Sequence, residues 1–313
     1  MKKKVSVIVL TYNADLEKLK NTVRSVLYQN YRDFELIIAD DGSKVKWNRE
    51  IENLVSATGE FTLKFADSPV NGGTVKNVLN GLSLAEGDYV KLISPGDYLE
   101  KNVLESWVRF SDAHPADATF GNAVYHRFTG NAPVVLRHKN APANLRLYET
   151  GKPESPFTDC LLGNDGILGC TFMMKRDVMT AYVREMAGKV RFAEDYMLRL
   201  MVFDGRTILH YPETVIWYEY GEGVSTTKEA RWAKLLHDDF DAVNALIRDQ
   251  HTPVSKKAEK YQRFLRFDGS GNLRKIRKVL AFPGVLYWRI LAKISPSKTP
   301  EATDTAWLSD IQK

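Results

Sequence analysis

Five short groups of residues in this chain carry side chains able to hold an anionic ligand and move a proton. Four of them follow apolar runs: Thr11-Tyr12-Asn13, Asp40-Asp41, Asn71-Gly72-Gly73, and Asp97 at the end of Ser94-Pro95-Gly96-Asp97. The fifth is the acidic pair Glu194-Asp195. Carboxylates at such positions can accept a hydrogen bond from a base, ligate a hard cation, or take a proton from a nucleophile. Taken singly each group is weak: an isolated Ser-Pro-Gly-Asp is an ordinary β-turn, and a turn Asp or Asn is most often only that. Two acids opening a helix complement its dipole without any further role. Their joint placement is what points to a site.

The elements that must position them read as alternating strands and helices. Val5 to Leu10 and Phe34 to Ala39 are near-continuous apolar runs, as in strands buried on both faces. Leu16, Leu19, Val23, Val26 and Leu27 recur at helical spacing between them, with Asn13 or Asp15 as the N-cap. A helix around Ile51, Leu54 and Val55, a strand over Phe61 to Phe65, a helix carrying Val75, Val78, Leu79 and Leu82, and a strand over Tyr89 to Ile93 follow. Pro95 and Gly96 end that last strand. The pattern predicts an α/β fold, a doubly wound and mainly parallel sheet whose strand ends bring the four turn groups to one crevice.

Beyond Leu99 the sequence predicts a helix at Val103 to Val108, then strands over Ala118 to Phe128 and Val134 to Arg137 paired antiparallel. A Pro-, Gly- and Asn-rich connector runs from Asn140 to Gly166. A strand over Gly169 to Lys175, a helix over Asp177 to Met186, another opening at Phe192-Ala193-Glu194-Asp195, and a β-rich stretch from Arg206 to Tyr220 come next. Helices follow from Lys228, and a polar, loose tail from Ser295. The domain reading is 1–225 for an α/β unit, divided at residue 99 into two halves, and 226–313 for a helical, basic extension.

Composition excludes several classes. No run approaches the ~20 apolar residues of a membrane span, and the opening Met1-Lys2-Lys3-Lys4 with its short apolar run reads as a strand rather than a leader. Cys160 and Cys170 read as buried thiols of a reducing compartment. There is no G-x-G-x-x-G after the first strand and no P-loop. The net charge of +5 is uneven. Lys256 to Lys293 holds 11 Lys and Arg against 2 acids, a balance of +9 that leaves −4 for the rest. No groove-reading motif accompanies it, so nucleic acid is not the expected partner. Helical spacing of Ile276, Val279, Leu280, Tyr287, Ile290, Leu291 and Ile294, with Trp288 and clustered cations, suggests an interfacial helix on an anionic membrane. A helix packed on the α/β unit is the equal alternative.

The order of V-S-V-I-V-L-T-Y-N, F-E-L-I-I-A-D-D-G-S, N-G-G-T-V-K-N-V-L-N-G, E-G-D-Y-V-K-L-I-S-P-G-D-Y-L and F-A-E-D-Y-M-L-R-L resembles the inverting glycosyltransferases of family 2, which have the GT-A fold. The resemblance spans roughly Val5 to Ser225. It implies that Thr11, Tyr12 and Asn13 meet the nucleotide, with Tyr12 on the base. It further implies that Asp41 accepts from the base N3–H, and that Asn71 and Lys76 lie near ribose or diphosphate. Asp195 of the Glu194-Asp195 pair would be the general base. Where the family carries a D-x-D-D-like cluster this chain has Ser94-Pro95-Gly96-Asp97, so Asp97 alone is left as ligand for Mg²⁺ or Mn²⁺.

The implied activity is transfer of a sugar from a nucleoside-diphosphate donor, UDP-linked, to a saccharide or lipid-linked saccharide hydroxyl in surface-polysaccharide synthesis. The setting is cytoplasmic, with peripheral contact at the inner face of the membrane left open. Two alternatives stay open. A sugar-nucleotide nucleotidyltransferase would want a glycine-rich basic loop where Thr11-Tyr12-Asn13-Ala14-Asp15 stands. A non-catalytic saccharide- or nucleotide-binding protein is suggested by Ser94 and Gly96, and opposed by Asp41 and Glu194-Asp195.

Overall fold

The computed structural model describes residues 4–129, 132–139, 142, 144–152, 154–162, 167–221, 230–266, 271–294 and 305–311. Strand β1 (Val5–Thr11) and strand β2 (Phe34–Asp40) are buried along their whole length, as their near-continuous apolar runs require. Helix α1 (Leu16–Leu27) joins them. Asp15 is its N-cap, accepting from the Glu17 and Lys18 N–H groups at 3.0 Å each. Its buried face is Leu19, Val23, Val26 and Leu27, each worth ~1.5–3 kcal/mol of apolar burial. Helix α2 (Asn48–Thr58), strand β3 (Thr62–Asp67), helix α3 (Thr74–Leu84) and strand β4 (Tyr89–Ile93) complete the first half. Strands β3, β2, β1 and β4 lie side by side and all parallel.

Strand β5 (Tyr98–Leu99) and helix α4 (Val103–Ala113) lead to strand β6 (Ala118–Thr129) and strand β7 (Ala132–Lys139), antiparallel as expected. The 140–166 connector is not a bare loop. It contains a 3-10 turn at Leu145–Tyr148 and helix α5 (Glu154–Leu162), held by buried Leu145, Leu147, Phe157 and Cys160. The strand expected over Gly169 to Lys175 is shorter. Gly169–Thr171 forms a 3-10 turn and only strand β8 (Phe172–Lys175) pairs. β8 lies antiparallel between β4 and β6, so the sheet changes direction there.

Helix α6 (Arg176–Met186), a 3-10 turn at Glu194–Tyr196, helix α7 (Met197–Phe203) and strand β9 (Ile208–Glu219) follow. β9 runs parallel to β6 and antiparallel to β5. Helix α8 (Ala230–Asp249), helix α9 (Lys256–Leu265), helix α10 (Gly271–Ala281) and helix α11 (Gly284–Ile294) close the chain. Val243, Leu246 and Ile247 of α8 share one core with α3, α6, α7 and one face of the sheet. The expected boundary near Ser225 lies outside the described residues.

The loose tail expected after Ser295 is corrected at its end. Trp307, Leu308 and Ile311 are buried against Tyr98, Val124 and Trp217. Trp307 meets Trp217 edge to face, and Arg24 Nη1 donates to the Ile311 carbonyl at 3.2 Å. Three large apolar side chains within seven residues outweigh the polar composition around them.

Candidate active site

The four turn groups do converge. Beyond β1, Thr11 is buried and its carbonyl accepts the Asp41 N–H at 2.9 Å, while Tyr12 stands 52% exposed beside the crevice, an open ring face. Asn13 takes a left-handed backbone, φ 47, and its side chain accepts the Lys44 N–H at 2.9 Å. It therefore braces the loop after β2 and leaves the helix cap to Asp15.

Asp41 is buried, and both its oxygens are engaged: Oδ1 accepts the Gly72 N–H at 2.7 Å and Oδ2 the Gly73 N–H at 2.8 Å. Burial pushes its carboxyl above the ordinary range, against those two donors. The acid thus builds the Asn71-Gly72-Gly73 turn as well as facing the crevice. Gly73 has φ +91, and a Cβ there would lie 2.6 Å from the Arg191 carbonyl oxygen. Asn77 of α3, buried, donates to the Ala39 carbonyl at 2.8 Å and ties the helix to the end of β2. Lys76, Asn71 and Gly72 line a cavity of about 290 Å³ with Gly188, Lys189, Val190 and Arg191. Arg191 Nη2 donates to Asn71 Oδ1 at 3.2 Å across it.

Ser94-Pro95-Gly96-Asp97 is a β-turn closed by Asp97 N–H to the Ser94 carbonyl at 3.0 Å. Gly96 at φ +99 supplies the backbone that L-residues avoid. Buried Thr22 of α1 holds the turn, accepting the Gly96 N–H at 3.1 Å and donating to the Asp97 carbonyl at 2.8 Å. Asp97 Oδ1 accepts the Glu219 N–H at 3.0 Å from the end of β9. Beneath it lies Lys91, fully buried inside β4, its Nζ donating to the Leu92 carbonyl at 2.7 Å and to the Cys170 carbonyl. Burial pushes Asp97 up to about 7 and Lys91 down to about 8, so both move toward neutrality.

The space above Gly96 is filled by Glu219, whose Oε2 would lie 2.2 Å from an added Cβ. Lys18 Nζ donates to both Glu219 carboxylate oxygens at 2.9 Å. This pair stands where an acid at position 96 would project. Among the described residues no group of three or more His, Cys, Asp or Glu is arranged to hold a metal. The donor set fits a divalent cation only in a sparse form: one oxygen from Asp97, the other positions filled by diphosphate oxygens and water.

Glu194 and Asp195 reach the same place from the other half. The Glu194 carboxylate lies against Gly169, and the next residue, Cys170, accepts from Lys91 Nζ with its carbonyl. Burial pushes both carboxyls up, and Asp195 further raises Glu194. The loop before them is held by Asp239 of α8, which nothing in the motifs had marked. Its Oδ1 accepts the Arg191 N–H at 2.8 Å; its Oδ2 accepts those of Phe192 at 2.7 Å and Ala193 at 3.0 Å. Lys91 was legible as an oddity, a charge in an otherwise apolar strand. Lys18, Glu219 and Asp239 carried no local signal.

A mixed, mostly parallel sheet with helices, in this order, is that of the GT-A class. The glycosyl transferase family 2 model matches residues 6–180, and the chain belongs to that family. It is 30% identical over 127 residues to an uncharacterized glycosyltransferase of Haemophilus influenzae, covering 41% of this chain and 50% of that protein. It is 26% identical over 167 residues to the putative colanic acid biosynthesis glycosyl transferase WcaA of Escherichia coli, covering 53% of this chain and 54% of that one. The chain thus spans about half the length of these relatives. Among solved structures, S. aureus TarS 1-349 in complex with UDP-GlcNAc superposes with a TM-score of 0.59 at 17% identity, over 93% of this chain and 76% of that one. The mannosyltransferase PcManGT from Pyrobaculum calidifontis, in complex with GDP-Man and Mn²⁺, gives 0.57 at 16%, over 95% and 77%. At such identities the likeness is one of fold.

Proposed function

We propose that the chain is an inverting glycosyltransferase that moves a sugar from a nucleoside diphosphate, UDP-linked, to a hydroxyl of a saccharide or lipid-linked saccharide in surface-polysaccharide synthesis. The observation that supports this reading is that Glu194 and Asp195 lie against Gly169, while the adjoining Cys170 carbonyl accepts from Lys91, the buried cation next to Asp97, so that the acidic pair and Asp97 are linked through neighbouring residues. Tyr12 offers its ring face to the base and Asp41 its remaining lone pairs to a base N–H. Lys76 and Arg191 border the cavity on the side of the Asn71 turn. WcaA is named for colanic acid biosynthesis, which favours polymer synthesis, and the solved neighbours hold UDP-GlcNAc and GDP-Man, which favours a nucleoside-diphosphate sugar as donor.

Asp195 takes the proton from the acceptor hydroxyl as that oxygen bonds to the anomeric carbon. The bond from that carbon to the diphosphate breaks on the opposite face, and the electron pair leaves with the diphosphate. A raised carboxyl pKa suits a base working near neutral pH. Glu194 stands beside it, its carboxyl pushed up by burial and by the Asp195 charge and so held toward the neutral form near neutral pH. Asp97 would hold Mg²⁺ or Mn²⁺, which when bound would offset charge on the leaving diphosphate.

The test is donor hydrolysis and transfer across UDP-, dTDP- and GDP-sugars, with and without Mn²⁺, using wild type and Asp195→Asn. Transfer should fall by ~10²–10⁴-fold in the variant while nucleotide affinity holds. Full transfer by Asp195→Asn would remove it as base. Nucleotide binding with no turnover of any donor would favour the binding-protein reading.

A further inference from the structure

Of the sixteen large apolar side chains exposed among the described residues, seven lie in the 22 residues of α10 and α11. Three of the others are consecutive on β7, Val134 to Leu136, and the remaining six are scattered along the chain. Leu273, Ile276 and Leu280 follow helical spacing on α10 and are 61%, 58% and 76% exposed; Tyr287, Ile290 and Ile294 do the same on α11, at 62%, 57% and 74%. Two stripes of this kind, repeated at i, i+3 and i+7, are continuous outward faces rather than stray residues.

The inward faces are accounted for. Phe282 and Val285 are buried in the main core, and Ala281 and Trp288 pack against it. The aromatic that points outward is Tyr287; Trp288, which the sequence suggested for that role, turns partly inward. The hinge between the helices is Pro283-Gly284, so both stripes follow from one anchored elbow.

Charge selects the occupant. From Gly271 to Ile294 there is no acid, while Arg277, Arg289 and Lys293 are exposed on the same two helices. A second copy of this face would oppose cation to cation. A protein partner would leave the acid-free composition without a reason. Each helix has 11 residues, ~16 Å, half a bilayer core in length, and no helix among the described residues is long and apolar enough to cross a membrane. The helices can lie along a surface but cannot span it.

We propose that the outward face of α10 and α11 docks the protein on an anionic phospholipid bilayer, apolar side chains at the acyl boundary and cations among the headgroups. α11 packs on α5, and α5 on α7, the helix that follows Glu194-Asp195. The docked face is therefore mechanically joined to the half that carries the acidic pair. If the proposed transferase reading holds, this presents that half to an acceptor held by a lipid; the docking itself does not depend on it.

The test is flotation of the full chain, without donor, with phosphatidylcholine vesicles and with vesicles containing about a third phosphatidylglycerol. The variants are Ile276→Glu/Ile290→Glu and Arg289→Glu/Lys293→Glu, all at exposed positions. Deleting the C-terminal region would instead also remove buried Trp307, Leu308 and Ile311. Wild type should float with anionic vesicles and release with salt, and each double variant should lose at least ~10-fold in partitioning with an unchanged thermal midpoint. Undiminished flotation of the variants overturns the proposal. So does a wild type that stays with the soluble fraction, or a dimer that Ile276→Glu/Ile290→Glu dissociates. A chain that floats yet turns over no donor would sink the transferase reading and leave the docking face standing.

Discussion

Asp239→Asn is the substitution that asks most of the active-site geometry. Asp239 is buried on α8, and its carboxylate accepts three consecutive backbone N–H groups, from Arg191, Phe192 and Ala193, between 2.7 and 3.0 Å. An amide of the same shape has one acceptor oxygen. Its best orientation keeps Phe192 and Ala193 and turns an NH₂ toward the Arg191 N–H. One bond to a charged acceptor is then lost, ~1.5–3 kcal/mol, and two weaken from the charged to the neutral range, about 1 kcal/mol each. Water can reach the exposed Arg191 end, so we expect ~2–4 kcal/mol net, within the ~5–15 kcal/mol of an ordinary domain.

The variant should fold, with a lower urea midpoint and an unchanged slope. The released segment leads directly into Glu194-Asp195, and an acid displaced by ~1 Å costs on the order of 10²-fold in rate. Turnover should fall while the donor KM moves little. Asp239 adds the smallest share, after burial and Asp195, to what raises the Glu194 carboxyl beside the base, so removing its charge should shift the acid limb of the pH–rate profile slightly downward. A merely structural role would not move that limb. Asp239→Asn with wild-type midpoint, rate and pH profile would refute the reasoning.

Three further outcomes follow from the same contacts. Asp41→Ala removes the acceptor for the Gly72 and Gly73 N–H groups, so UDP affinity measured by calorimetry should fall at least ~10-fold, each charged bond being worth ~1.5–3 kcal/mol; equal affinities would take Asp41 out of the site. Gly96→Asp, which adds an acid to the Ser94–Asp97 turn, should lose ~1–3 kcal/mol to the φ of +99 alone and more to Glu219, with no gain in Mn²⁺ affinity by titration, whereas Ser94→Asp at an exposed position should be tolerated. His251 accepts or donates at 2.7 Å to Asp204 and 2.6 Å to Glu185, and these partners raise its pKa. Its contribution is present below the unfolded value of ~6.5 and is lost as pH rises through the folded one, so the stability gap between wild type and His251→Gln should shrink from pH 6 to pH 8.5; a gap that widens would reverse the assignment.

Sequence alone determined the first, parallel half of the sheet, because there the signal is local. Val5–Thr11 and Phe34–Asp40 are near-continuous apolar runs, a pattern that suits a strand covered on both faces, and Pro95-Gly96 must end the ladder. The parallel order then brings Thr11, Asp41, Asn71 and Asp97 to one edge whatever their neighbours are. What a carboxylate does there was decided elsewhere in the chain. Asp41 became a brace for Gly72 and Gly73; Glu219, 123 residues beyond Gly96, came to fill the place of the missing acid; and Asp239 came to hold the loop of Glu194-Asp195. The docked Trp307 and the inward Trp288 are of the same kind. Apolar periodicity is written in consecutive residues, whereas the partner of a buried charge is set by which backbone N–H or cation the folded sheet carries to within 3 Å, and no local pattern encodes that distance.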